Sequence, residues 1–276
     1  MTGNTKTSMC VKSLRRLLQI TVMALCVSIS AHGASPTVIA LFGDSISYGY
    51  INSSNPGGRV GNGVLNLGLP STLLSDLLNS SGRESQVANL GYGGSPSGPS
   101  FNNNVGVGNG VDRINSDLDF VKNTYPGKAY YVLIMYGTND HGYGISPSTT
   151  QFNYKLMIDR ALAKGVNVVA STVPPCTGIC SKSPSELIAV NNNIRSAISS
   201  RMTPGKNVYM VDNNVELAPN WGSWTVDGIH PNPTGYGIIA QNWFDNALKN
   251  LINPNISMSI VINYLLDDET EPPPEP

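Results

Sequence analysis

Five short runs of apolar and β-branched residues, separated by stretches with helical spacing, constrain this chain more than any other feature. The runs cover residues 37–42, 86–90, 130–135, 166–172 and 208–211. Each has the length of a strand and carries almost no charge, as strands covered on both faces do. Between them, residues 69–78 place Leu73, Leu74, Leu77 and Leu78 on one side of a helix. Residues 111–121 place Val111, Ile114, Leu118 and Val121 at steps of three and four. Residues 152–162, 186–198 and 234–251 continue the helical pattern. This alternation predicts one α/β domain on a mostly parallel, five-stranded sheet with right-handed crossovers. With 40% of 276 residues apolar, the chain can fill such a core. Charged residues make up 13%, against about 25% in an average chain. The formal charge is −1, and no basic cluster occurs beyond the first residues. That argues against a nucleic-acid partner and against steering of acidic substrates by a net field.

The two ends read differently from the middle. Lys6, Lys12, Arg15 and Arg16 precede an apolar run over residues 17–30, and small residues follow at Ala31, Gly33 and Ala34. That layout is a secretory signal peptide, expected over residues 1–33 with cleavage after Gly33. The run is short of the ~20 residues a membrane span needs, and an uncleaved anchor is the alternative reading. The mature chain is thus expected to be secreted or periplasmic, with no membrane span. Cys176 and Cys180 are the cysteines beyond the signal. An even pair in an oxidising compartment reads as a disulfide, worth roughly 2 kcal/mol; two free thiols are the alternative. No His lies near them, so no metal site follows. Residues 254–276 read as an extension: an apolar stretch over 256–266, then a Pro-rich tail. The tail holds Asp267, Asp268, Glu269, Glu271 and Glu275, five of the 18 acidic residues, and is expected to be disordered. The folded domain between the two ends is expected over residues 34–253.

The chemistry-bearing residues gather at strand ends. The first run ends in Gly43-Asp44-Ser45-Ile46-Ser47, the second in Asn89-Leu90-Gly91-Tyr92-Gly93-Gly94, and the third in Gly137-Thr138-Asn139-Asp140. Asp227-Gly228-Ile229-His230 comes near the C-terminus. Ligands of open α/β sheets bind beyond the carboxyl ends of strands. The Gly/Asn/Ser-rich stretches 52–68 and 91–110 are therefore expected to wall a site. A serine nucleophile needs a base, the base needs an orienting acid, and a developing oxyanion needs donors. Beyond the signal only His141 and His230 can serve as base. His230 has Asp227 three residues upstream, within reach of one ring nitrogen, the third role of a triad. His141 reads as a surface or structural histidine. Asn139 can donate a side-chain amide, and Gly94 can turn its N–H toward a ligand without a Cβ in the way.

Together and in this order, the four fragments resemble the SGNH hydrolases, the GDSL-type esterases and lipases, over about residues 37–251. The resemblance implies a flavodoxin-like three-layer α/β/α sandwich. It implies Ser45 as nucleophile, His230 as base and Asp227 as its partner. The oxyanion hole would be the Ser45 and Gly94 N–H groups with the Asn139 side chain; Gly93 is the competitor for the glycine role. Ser95 departs from the polar Asp or Arg that many members carry there. The implied reaction is two-step acyl transfer with no metal or organic cofactor, and a transferase is a variant of it.

The family's substrates include acetyl esters of polysaccharides, short-chain and aryl esters, lysophospholipids and thioesters. Tyr48, Tyr50, Tyr92, Tyr136, Tyr143, Trp221 and Trp224 fall near the expected site. Aromatic faces among Asn and Ser suit sugar rings, whereas a long acyl chain wants an apolar groove. The expectation is a short acyl ester of a small molecule or polysaccharide, with Tyr92, Tyr143, Trp221 and Trp224 as candidate substrate contacts. A lipase, lysophospholipase or thioesterase is the alternative on the same triad. A carbohydrate-binding module with a vestigial site is the alternative of another class. Oligomeric state leaves no trace in the sequence.

Overall fold

The computed structural model describes residues 36–51, 61–99, 108–177 and 184–253. The expected signal segment, the acidic tail and Cys180 lie outside the described residues.

A six-stranded sheet runs in the order β2-β3-β1-β4-β5-β6. Its strands are β1 (Thr37–Gly43), β2 (Val64–Leu65), β3 (Ser85–Asn89), β4 (Ala129–Met135), β5 (Asn167–Ser171) and β6 (Val208–Val211). All five strands expected from the sequence are present and pair parallel with one another. The expected count of five is corrected by β2, which pairs antiparallel with the end of β3. Two residues have no periodicity to read. They are held by contacts from β3, where Gly63 N–H donates to the Asn89 carbonyl at 2.7 Å and Asn89 Nδ2 donates to the Leu67 carbonyl at 2.5 Å.

Helices cover both faces. They are α1 (Ser45–Tyr48), α2 (Leu69–Ser80), α3 (Gly110–Thr124), α4 (Pro147–Ala163), α5 (Pro184–Ser199), α6 (Asn213–Leu217), α7 (Trp221–Trp224) and α8 (Pro233–Trp243). Packing of α2 on α8 makes one layer, and α3 on α4 on α5 makes the other. The period-3.6 pattern of α3 is realised, with Val111, Ile114, Leu118 and Val121 all buried. On α2, Leu74 and Leu78 are fully buried while Leu73 and Leu77 sit at the rim. Side-chain caps start the longer helices: Asn109 accepts from Asp112 N, Ser146 from Thr149 N and Asn232 from Gly235 N, with Pro at the first turn of α4 and α8.

The single helix expected over 234–251 is broken. A π turn at Phe244–Leu248 separates α8 from a short α9 (Lys249–Leu251). One extra residue in the turn accompanies the burial of Trp243, Phe244, Ala247 and Leu248 together. Among the described residues, no helix is long and apolar enough to cross a membrane.

Strand order reverses at β1, so the crevice between β1 and β4 is where such sheets take ligands. Tyr154 of α4 fixes that end of the sheet. Its buried hydroxyl accepts from Tyr136 N at 2.8 Å and reaches the carbonyls of Tyr136 and Ser171 at 2.8 and 3.0 Å. Tyr154→Phe orphans a buried N–H. The variant is expected to lose about 1–3 kcal/mol in urea unfolding with the m-value unchanged; an unaltered midpoint would refute the assignment.

Candidate active site

Ser45 opens α1 directly at the end of β1. Asp44 is the N-cap, its Oδ1 accepting from Ile46 N at 2.9 Å, and Gly49 closes the single turn in the left-handed region at φ 94°. The first N–H groups of a helix have no intrahelical acceptor, so the Ser45 N–H is free for a ligand by construction. There is no room for a side chain beneath this turn. A Cβ on Gly91 would lie 2.2 Å from Tyr48 N, and one on Gly43 would lie 2.4 Å from the Met135 carbonyl. The β1, β3 and β4 ends are thereby pressed together, and Tyr92 N–H donates to the Gly43 carbonyl at 2.9 Å.

His230 arrives from the other end of the chain. Ser45 Oγ lies 3.0 Å from His230 Nε2, and His230 Nδ1 lies 2.7 Å from Asp227 Oδ2. Asp227 Oδ1 accepts from the His230 and Ile229 N–H groups at 2.7 and 2.9 Å. Burial alone would raise the Asp227 pKa, but these N–H donors and the imidazole outweigh it and hold the carboxyl below the ordinary value. Gly228, at φ 84°, lets the loop turn against Thr177, whose N–H donates to the Gly228 carbonyl at 2.8 Å. The Tyr50 ring sits 4.6 Å from the imidazole, tilted by 54°, and its carbonyl accepts from the buried Tyr236 hydroxyl at 2.7 Å.

Gly94 and Asn139 occupy the loops after β3 and β4. Gly94 has φ 77°, and a Cβ there would meet only the Tyr143 hydroxyl, at 4.0 Å. Asn139 Nδ2 donates to the Ser95 carbonyl at 3.2 Å, so its amide is aimed across the glycine loop. The triad candidates are therefore joined by direct hydrogen bonds, and Asn139 is bonded to the loop that carries Gly94. Such an arrangement can pass a proton from the hydroxyl to the ring and hold the resulting imidazolium against a carboxylate.

The aromatic candidates divide. Tyr92, Tyr143 and Trp224 are half-buried, with Tyr92 under the Arg113 guanidinium at 4.8 Å. Trp221 is corrected: it is 3% exposed and its Nε1 donates to the Gly228 carbonyl, so it braces the histidine loop from inside instead of facing a ligand. Tyr48 and Tyr136 are likewise buried. His141 is an exposed partner of Glu186, 3.1 Å away. Cys176 is not a free thiol, and Cys180 lies outside the described residues. Among the described residues, no three His, Cys, Asp or Glu side chains group as metal ligands would.

Sequence reasoning missed the surroundings of the triad candidates. The contact of Tyr50 with His230 has no motif of its own, and two buried carboxylates, Asp44 and Asp140, passed as motif neighbours. Asp44 is buried. Its Oδ2 and the Thr138 hydroxyl lack partners of ordinary hydrogen-bond geometry, yet the hydroxyl is close enough to favour the charged carboxylate. Burial dominates and pushes the Asp44 pKa up to about 6 against the Ile46 N–H and the His230 ring.

The sequence matches the model of the GDSL-like lipase/acylhydrolase family over residues 41–238. A search of curated proteins finds no match. Solved structures share the fold. The lipase/acylhydrolase from Enterococcus faecalis superposes with a TM-score of 0.59 at 19% identity, over 80% of this chain and 100% of that one. A carbohydrate esterase family 3 protein from Talaromyces cellulolyticus gives 0.53 at 18%, over 85% and 100%. A psychrotrophic esterase from Pseudoalteromonas sp. gives 0.52 at 19%, over 78% and 98%.

Asp44 yields a pH prediction. A carboxyl raised from 3.8 to about 6 binds its proton more tightly when folded. Its stability contribution is present below the unfolded pKa and is lost as pH rises through about 6. Asp44→Asn keeps a capping acceptor. Its unfolding free energy is expected to gain on the wild type between about pH 4 and 6 and to run parallel above; parallel profiles throughout would refute the shift.

Proposed function

The chain belongs to the GDSL-like lipase/acylhydrolase family and is a serine esterase, and on that premise we propose that Ser45, His230 and Asp227 carry out a two-step acyl transfer. His230 Nε2 takes the hydroxyl proton as Ser45 Oγ attacks the ester carbonyl. The Ser45 and Gly94 N–H groups and the Asn139 amide hold the oxyanion. The tetrahedral intermediate collapses, the C–O bond to the alcohol breaks, and the alcohol leaves with the proton from His230. Water, deprotonated by the same ring, then frees the acid and restores Ser45. Asp227 keeps Nδ1 protonated and meets the imidazolium with a charge held by two backbone N–H groups. The observation that carries this reading is the pair of hydrogen bonds from Ser45 through His230 to Asp227, 3.0 and 2.7 Å long, across 185 residues of chain.

A short acyl group, acetyl on a carbohydrate, is the proposed substrate. Half-buried aromatic rings at Tyr50, Tyr92, Tyr143 and Trp224 lie among loops of Gly, Asn and Ser, which favours flat polar rings over long aliphatic tails. The likeness to the Talaromyces carbohydrate esterase is one of fold and is compatible with this choice. Export follows from the charge and apolar pattern of residues 1–33, and a Cys176–Cys180 disulfide would suit that compartment.

Ser45→Ala is expected to abolish hydrolysis of nitrophenyl acetate and release of acetate from acetylated xylan. Across nitrophenyl esters from acetate to dodecanoate, the wild type is expected to fall in kcat/KM as the chain lengthens. A preference for dodecanoate would replace the short-ester reading with the lipase one, and equal activity in Ser45→Ala would remove the nucleophile. Asp227→Asn is expected to lower kcat by roughly 10³–10⁴-fold with KM little altered; a loss below tenfold would deny Asp227 its role.

A further inference from the structure

We infer that Asp140 is a positioning residue that holds the two outer donors of the oxyanion hole, Gly94 and Asn139, in register by tying their loops to one buried carboxylate. Asp140 is fully buried. Its Oδ1 accepts from Ser97 N at 2.8 Å. Its Oδ2 accepts from the Ser97 and Thr150 hydroxyls at 2.7 and 2.6 Å. Three donors converge on this carboxylate from two separate parts of the chain, the glycine loop and the first turns of α4.

The directions of these bonds are determined. A carboxylate only accepts, so both hydroxyls donate to it. The Ser97 hydroxyl oxygen then accepts from Asn153 Nδ2 at 2.8 Å. Gly98 packs so closely on Asn153 that a Cβ would lie 2.4 Å from Nδ2. Ser97, Thr150 and Asn153 are themselves buried. The glycine loop is therefore pinned three residues beyond Gly94, on the residue next to Asn139. The Asp140 carbonyl also accepts from Tyr143 and Ile145 N–H at 3.1 and 2.9 Å, which closes the turn that presents Asn139.

A network that served only to knit α4 to the sheet would not need both a backbone N–H and a hydroxyl of the glycine loop. Asn139 Nδ2 sits 3.2 Å from the Ser95 carbonyl, two residues from Ser97. A slip of the loop would thus move Gly94 and the Asn139 amide relative to each other. A misplacement of about 1 Å at a reacting centre can cost 10²-fold in rate.

The proposal rests on the assignment of Gly94 and Asn139 as oxyanion donors, and the test separates the two. Asp140→Asn, Asn139→Ala and the double variant are assayed on nitrophenyl acetate, with thermal unfolding in parallel. Asn139→Ala is expected to lose about 10²–10³-fold in kcat. Asp140→Asn is expected to lose about 10- to 100-fold in kcat with KM within about twofold. The double variant is expected to fall short of the product of the two losses by tenfold or more, because both act on one hole. Full activity in Asn139→Ala would overturn the donor assignment and this proposal with it. A loss in Asn139→Ala with strictly multiplicative effects would overturn this proposal alone. Should Asp140→Asn not fold, Ser97→Ala and Thr150→Ala decide. The proposal expects Ser97→Ala to lose at least fivefold more kcat than Thr150→Ala at a comparable fall in Tm, and equal losses would overturn it.

Discussion

Everything reactive in this molecule is measured from the last residue of β1. The strand is paired along its length with β3 on one side and β4 on the other, and Val38 through Phe42 are essentially without solvent. Its hydrogen bonds and side chains are therefore spoken for before the serine begins. Gly43, with no Cβ, lets the turn carrying Ser45 settle against the Met135 carbonyl and the Ser47 side chain. A hydroxyl at that point cannot drift, because movement would have to break strand pairing or open a void in the core. The chemistry then requires only that other segments be brought to a fixed place.

Two of those segments come cheaply and one does not. The strands β3 and β4 are sheet neighbours of β1, so parallel pairing brings the loops that carry Gly94 and Asn139 to the same end of the sheet as Ser45. His230 instead lies 185 residues away. Its loop is anchored by Asn232 at the start of α8, by Trp221 from inside, and by Thr177 on Gly228. The helix α8 in turn packs on α2. The Ser45–His230 contact thus reports on closure of the whole domain, whereas Gly94 and Asn139 sit on loops that follow neighbouring strands and that the Asp140 contacts tie to α4.

The repeating parts of this architecture were legible in the sequence, and so were the polar residues that the structure joins from Ser45 through His230 to Asp227, for the same reason. Strands buried on both faces leave apolar runs, and catalytic groups must be polar residues at the ends of those runs. Ser45, Asn139 and the Asp227–His230 pair stand out by being chemically odd where they sit. The two-residue β2 left no signal because its existence depends on what Asn89 grips from the neighbouring strand. The break after Trp243 was hidden because a π turn has the same composition as the helix around it. Trp221 looked like a ligand platform because composition cannot say which face of a short helix is turned inward. The roles of Asp44, Ser97 and Asp140 depend on contacts between segments far apart in the chain, and no local pattern carries those.

Three carboxylates belong to the motifs of the candidate site, and their environments suit them to different work. Asp227 is partly exposed, accepts two backbone N–H groups and an imidazole, and is held below its ordinary pKa. It is a standing negative charge, which an orienting partner for an imidazolium requires. Asp44 is buried with one oxygen lacking a partner of ordinary hydrogen-bond geometry, and burial lifts it to about 6. Such a group is poor at holding charge and good at capping the turn that carries Ser45. Asp140 accepts from two buried hydroxyls and one N–H. Its three hydrogen bonds join the glycine loop to the first turn of α4. Identical side chains within one site thus act as counter-charge, cap and tie, and what separates them is the number and kind of donors that the fold aims at each.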